Sequence, residues 1–249
     1  MSNTTARATL WLIPLPLGAN TALEQVLPAS VIAQIDPINH FVVETAKTAR
    51  AFLKPALTGP LQDRHWYELN QRTQDSELAA MLAPLLAGQD VGLVSDAGCP
   101  AVADPGAKLV AAAHDAIATG AAIKIRPLIG PSSLLLALMA SGMNGQQFAF
   151  VGYLPSQPEA RKQALSALQT RSAKAKETIL MIETPYRSKA FLETALTCLA
   201  PSTRFMSATQ LSLPEESIIS RNIAQWRARG VSQCVAGQAA EPTVFALLA

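Results

Sequence analysis

The sequence predicts a protein of two α/β domains, with largely parallel or mixed sheets and a ligand cleft between them. Three observations lead there. Short apolar runs alternate with helical stretches along 249 residues, the pattern of sheets covered by helices. Three of those runs end in Gly/Pro loops, and the pattern changes character after Gly130. The boundary is expected near 127 to 133, giving domains of 1–128 and 129–249.

In the first half, strands are expected at 9 to 13, 40 to 44, 91 to 95 and 123 to 126, and helices near 21 to 34, 46 to 54, 74 to 87 and 105 to 119. The first helix has Asn20 and Thr21 as candidate caps, with Glu24 at capping-box spacing from Thr21. Gly120 is placed to close the fourth. Beyond Gly130, Leu134 to Ala140 is apolar all round, which predicts a helix buried between domains. Strands at 147 to 152, 178 to 183, 204 to 210 and 242 to 247, with helices at 158 to 170, 187 to 199 and 221 to 228, complete the second domain.

The loops carry the functional reading. Val91 to Val94 runs into Ser95, Asp96, Ala97, Gly98 and Cys99; Thr9 to Ile13 runs into Pro14 to Ala19; Ile123 to Arg126 runs into PLIGPSS at 127 to 133. In open parallel sheets ligands lie outside the carboxyl ends of the strands. Pro fixes φ and Gly allows close approach, so such loops offer a small molecule rigid main-chain groups.

The segments LWLIPLPLGAN (10 to 20), VGLVSDAGCPAVADPGAKLV (91 to 110), IRPLIGPSSLLLALMASG (125 to 142), FAFVGYLP (148 to 155) and ILMIETPYR (179 to 187) resemble, in order, the tetrapyrrole methylase superfamily of S-adenosylmethionine-dependent methyltransferases. Within it they are most similar to the branch that 2'-O-methylates a cytidine of small-subunit (16S) ribosomal RNA. Two segments depart from that branch. In VVETAKTARAFL, Thr45 stands at an expected Asp and Lys47 at an expected Arg, with Glu44 and Arg50 kept; in HWYELNQR, Glu68 and Asn70 match while Tyr67 and Leu69 replace histidines.

The resemblance implies a tetrapyrrole methylase-like fold, S-adenosyl-L-methionine as cofactor, and cofactor contacts at Leu17, Gly18, Ser95, Asp96, Cys99, Ser132 and Ser133. It implies ribosomal RNA or the small ribosomal subunit as partner, and a homodimer. The departures keep two alternatives open: methylation of a tetrapyrrole or other small planar acceptor, and a cofactor-binding protein without turnover. Methyl transfer from a sulfonium is an in-line displacement in which positioning carries most of the effect. A 2'-hydroxyl acceptor benefits from a general base, for which Glu44 is the candidate; its other reading is a carboxylate at a helix start. Asp96 can accept from a ribose hydroxyl or an amine, or cap the next helix. Ser132 or Ser133 is placed to cap the helix that follows them; Glu183 is a second candidate carboxylate at a strand end, its other reading a structural salt bridge with Arg187 four residues on.

Composition excludes several classes. Cys99, Cys198 and Cys234 are too few and too scattered for a disulfide framework or a metal pair; Cys198 falls in a core pattern, and Cys99 contributes backbone and bulk. His40, His65 and His114 share no ligand spacing, so no metal is expected. The apolar run from Leu10 holds two prolines and is short of a membrane span, and no secretory signal is legible, so a cytoplasmic protein is expected. Net charge is +2, small for a nucleic-acid binder; Arg161, Lys162, Arg171, Lys174 and Lys176 form the densest basic stretch, and Arg221, Arg227 and Arg229 cluster around Trp226.

Overall fold

The structure is a computed structural model that describes residues 7–18, 21–230 and 241–249. Asn20, a candidate cap, Ala19 and Cys234 lie outside the described residues. By internal contacts the chain divides into Met1–Ser132 and Ser133–Ala249.

The first unit runs β1 (Ala8–Ile13), α1 (Leu23–Val26), α2 (Ala29–Ile35), β2 (His40–Val43), α3 (Ala46–Leu53), β3 (His65–Glu68), α4 (Asp75–Leu86), β4 (Val91–Val94), α5 (Ala107–Ala118) and β5 (Ile123–Pro127). Its five strands are all parallel, in the order β3-β2-β4-β1-β5. All four β4 residues are buried, as expected for a strand covered on both faces. Two apolar clusters sandwich the sheet: one includes Ile13, Phe41, Val43 and Leu53, the other Leu10, Val42, Leu93 and Leu109.

Two expectations need correction here. The helix expected over 21 to 34 is two short ones, because Leu27 is extended (φ −111°, ψ 132°) ahead of Pro28. Proline's ring crowds the preceding residue out of helical geometry. The start also moves: the amide of Ala22 donates to Gln25 Oε1 at 3.3 Å, so Gln25 rather than Glu24 supplies the returning side chain. Strand β3 was not anticipated; it is an edge strand of four residues without a clean alternation of burial. Gly120 does close α5, with φ +103° and its amide donating to Ile117 O at 3.0 Å.

The second unit runs α6 (Ser133–Ser141), β6 (Phe148–Phe150), α7 (Pro158–Ala175), β7 (Thr178–Glu183), α8 (Pro185–Cys198), β8 (Arg204–Thr209), β9 (Ser217–Asn222), α9 (Ile223–Arg229) and β10 (Thr243–Leu248). Its sheet is mixed, in the order β6-β7-β10-β8-β9; β6 and β7 are parallel and the other pairs antiparallel. Phe191, Phe205, Trp226 and Phe245 fill its core, with Phe191 and Phe245 stacked at 4.5 Å.

Here too the structure amends the expectations. Helix α6 buries Ala137, Leu138 and Ser141, but Leu135 is 51% and Met139 80% exposed, so it is not wrapped in apolar contacts on all sides. Strand β9 was missed, and α9 starts at Ile223 because Asn222 caps it: Asn222 Oδ1 accepts from Gln225 N at 2.8 Å, and Asn222 N donates to Gln225 Oε1 at 3.1 Å. Cys198 is half-buried at the margin of the core rather than within it.

Candidate functional site

The first unit's sheet has a reversal of connection at its middle. From β1 the chain crosses to β2 on one side, and from β4 it crosses to β5 on the other, so the adjacent carboxyl ends of β1 and β4 form a switch point, where open α/β sheets bind ligands. All three Gly/Pro loops meet there. Leu15 and Gly98 extend the β1–β4 pairing as an isolated bridge, Leu15 N donating to Gly98 O at 2.9 Å and Gly98 N to Leu15 O at 3.0 Å. The third loop joins them through Leu128 N, which donates to Leu12 O at 2.9 Å, and through Cys99 Sγ, which lies 3.3 Å from Pro131 O.

Glycine is required at two of these contacts. A Cβ at Gly130 would lie 2.4 Å from Pro14 Cβ, and Gly98 has φ +68°. The loop after Gly98 is held in strained backbone as well: Ala101 and Ala103 have φ of 65° and 60° without being glycine. The carboxylate of Asp104 holds that shape, accepting from Ala101 N at 2.8 Å and Gly106 N at 2.5 Å. Asp104 was not singled out in the sequence, although an Asp before Pro105–Gly106 is a turn signal.

The side chains at this end sort into two kinds. Ser95 is buried and its hydroxyl donates to Ala97 O (3.0 Å) and Gly98 O (3.3 Å), so it shapes the turn. Leu17 packs over Gly98, and Gly18 O accepts from Thr21 N at 3.2 Å. Burial pushes the Cys99 thiol pKa up, which disfavours the thiolate and suits a packing role. Ser132 ends the first unit and Ser133 opens α6 in the second.

Asp96 differs from these. It does not cap a helix, since α5 begins only at Ala107. Its Oδ2 accepts from Thr45 Oγ1 at 2.8 Å, its amide makes a long contact of 3.4 Å to Glu44 Oε2, and its Oδ1 is buried with no hydrogen-bond partner. A buried carboxylate oxygen without a donor costs free energy that a donor on a ligand would recover. Glu44, at the end of β2, has its pKa raised by burial and by the nearby charges of Asp96 and Asp104. It is therefore poised for proton transfer closer to neutrality than a free carboxyl. The carboxylate that bonds the start of α3 is Glu68, whose Oε1 accepts from Ala46 N at 3.0 Å. Asn70 shapes its own turn through Arg72 N (2.9 Å), and Arg50 lies over the Trp66 ring at 5.1 Å.

Beside α3 opens a cavity of about 580 Å³, lined by Thr21, Leu23, Lys47, Thr48 and Phe52 among others. In the two basic clusters read from the sequence, three arginines bond within the protein. Arg161 is buried and donates to Thr194 Oγ1 and Ser156 O, and Arg171 pairs with Glu177 at 2.6 Å. Arg227 donates to Leu196 O (2.6 Å) and Leu199 O (2.8 Å) at the C-terminal end of α8, and Trp226 is buried with its indole N–H on Phe205 O. In the second unit Glu183 and Arg187 do pair, at 2.9 Å. Among the described residues, no group of three His, Cys, Asp or Glu side chains is arranged to hold a metal ion.

No protein-family model matches the chain. It is 34% identical over 236 residues to a ribosomal RNA small subunit methyltransferase I from Micromonospora olivasterospora, covering 92% of this chain and 68% of that protein. A protein of the same name from Synechocystis is 32% identical over 208 residues, covering 82% and 67% respectively. Among solved structures, the methyltransferase CobJ matches with a TM-score of 0.60 at 19% identity, covering 97% of this chain and 93% of that one. The uroporphyrin-III C-methyltransferase from Thermus thermophilus complexed with S-adenosylhomocysteine matches with a TM-score of 0.53 at 14% identity, covering 97% of each chain. At those identities the structures establish the fold.

Proposed function

Since the chain belongs to the ribosomal RNA small subunit methyltransferase I family, and is thereby an S-adenosylmethionine-dependent methyltransferase, we propose that its acceptor is a ribose 2'-hydroxyl of small-subunit ribosomal RNA. The likeness to the ribosomal RNA methyltransferases supports that acceptor, and the observation that supports a cofactor site is Asp96 Oδ1, buried and without a donor at the β1–β4 switch point. A nucleoside hydroxyl or amine fits that atom. Bound there, the cofactor would supply an electrophilic methyl group on a sulfonium.

The chain's own residues account for the rest. Leu17, Gly18, Ser95, Asp96 and Cys99 in the first unit, and Ser132 and Ser133 at the junction, are proposed as its contacts. Backbone groups of the tightly joined loops would fix the donor, which suits a displacement governed by alignment. Glu44 is proposed as the base: its raised pKa lets it take the hydroxyl proton as the ribose oxygen attacks the methyl carbon. The cavity beside α3, lined by Lys47 and Phe52 among others, is proposed to take a nucleotide of the acceptor strand.

The reading includes a cytoplasmic protein; no helix among the described residues is long and apolar enough to cross a membrane. It also includes a homodimer, for which the exposed Met139 of α6 offers apolar surface. Calorimetric titration with S-adenosylmethionine, then a tritiated-methyl assay on small ribosomal subunits against precorrin-like substrates, tests the proposal. Label is expected in the RNA; label only in the tetrapyrrole would overturn the acceptor, and absence of cofactor binding the whole reading.

A further inference from the structure

Thr45 sits at the N-cap position of α3 in extended backbone (φ −131°, ψ 114°), yet its side chain makes no capping hydrogen bond. Threonine is favoured at that position because its oxygen accepts from first-turn amides. Here the hydroxyl does something else: it donates to Asp96 Oδ2 at 2.8 Å, while Glu68 takes the Ala46 amide. Its neighbour Glu44 reaches the same residue, with Oε2 3.4 Å from the Asp96 amide, and the Glu44 amide donates to Val94 O at 3.3 Å. The end of β2 thus holds the end of β4 and the loop after it at three points, and only one of them involves the Asp96 carboxylate itself.

An aspartate's terminal torsion is broad and weakly restrained. With Oδ2 tethered, the second oxygen has one defined direction, and that oxygen is the buried Oδ1 without a partner. We propose that Thr45 is a positioning residue for the methyl donor, acting through Asp96: it holds one carboxylate oxygen so that the other is preset to accept from a cofactor hydroxyl or amine. This rests on the methyltransferase reading above. It also gives the sequence departure at Thr45 a physical meaning, because a hydroxyl can donate to Asp96 where a carboxylate at the same place would repel it.

The test uses the full chain and S-adenosylhomocysteine as probe, with Thr45→Val, Thr45→Ser, Asp96→Ala and the Thr45→Val/Asp96→Ala double variant. Loss of one preset hydrogen bond corresponds to roughly tenfold weaker binding. T45V should therefore raise Kd and the cofactor KM by that factor, leave kcat within about threefold at saturation, and be rescued by T45S. On the D96A background the Thr45 change should add nothing, since its effect runs through the missing carboxylate. Thr45→Ala replaces T45V if melting shows the valine variant misfolded. Wild-type affinity in T45V, or full additivity with D96A, overturns this inference and leaves the methyltransferase reading standing; failure of the wild type to bind the probe overturns both.

Discussion

Glu44 is the residue whose protonation the structure makes consequential. Its pKa lies above that of a free carboxyl because of burial first and the Asp96 and Asp104 charges second. A carboxyl raised on folding binds more protons in the native state than in the unfolded one, so stability contributed by its neutral form is present below its unfolded pKa and is lost as pH rises through the folded value. Glu44→Gln removes that dependence while keeping an amide oxygen for the Asp96 amide. Its melting temperature should match the wild type near pH 4 and exceed it increasingly toward pH 7, as followed by thermal melts across pH. The same variant should lose about 10²- to 10⁴-fold in kcat if the carboxylate is the base, with cofactor Kd little changed. Equal activity of E44Q and the wild type at pH 7 would remove Glu44 from the mechanism. The residue types at this end were legible because each follows an apolar strand. The partners were not: that Glu68 bonds α3 and Thr45 bonds Asp96 depends on β2 pairing with both β3 and β4, and register between distant segments is not written in local pattern.

At the scale of elements, the loops behave as one unit because they touch through backbone and small side chains. Gly130 is the tightest point, where a methyl group would meet Pro14 at 2.4 Å. Gly130→Ala should therefore cost about 1–3 kcal/mol by overpacking, and should weaken cofactor binding as well because it separates the third loop from the first. Urea denaturation and the calorimetric titration give the two readouts; an unchanged midpoint would mean the loops yield freely. A second element-scale expectation concerns α3: Glu68→Ala should cost about 1 kcal/mol or less by freeing the Ala46 amide, and Glu68→Gln less than that. Elements were readable from sequence where burial is strong, as in the wholly buried β4 and in β7, with five of its six residues buried. They were missed at sheet edges, β3 and β9, whose residues are partly exposed and carry little periodic signal. The break between α1 and α2 was present as Pro28 and was outweighed by the apolar periodicity around it.

For the whole molecule, charge decides how an RNA substrate would be held. Twenty Lys and Arg against eighteen Asp and Glu leave +2, and several arginines are already spent on the protein itself. Arg64 binds Asp36 and the carbonyls of Asp36 and Thr58, Arg161 and Arg227 bind side-chain or carbonyl oxygens, and Arg171 and Arg187 pair with glutamates. These bonds occupy five arginines, and the near balance of acidic and basic residues favours a modest number of phosphate contacts. Each phosphate neutralised on single-stranded RNA contributes about −0.7 to the slope of log affinity against log salt. A surface offering three or four such contacts gives a slope of about −3 or shallower, and a loss of less than about a hundredfold between 50 and 200 mM salt. Filter binding of small ribosomal subunits across that range checks it. A slope near −7 would require about ten phosphate contacts, and would move recognition from the shape of the site to the phosphate backbone.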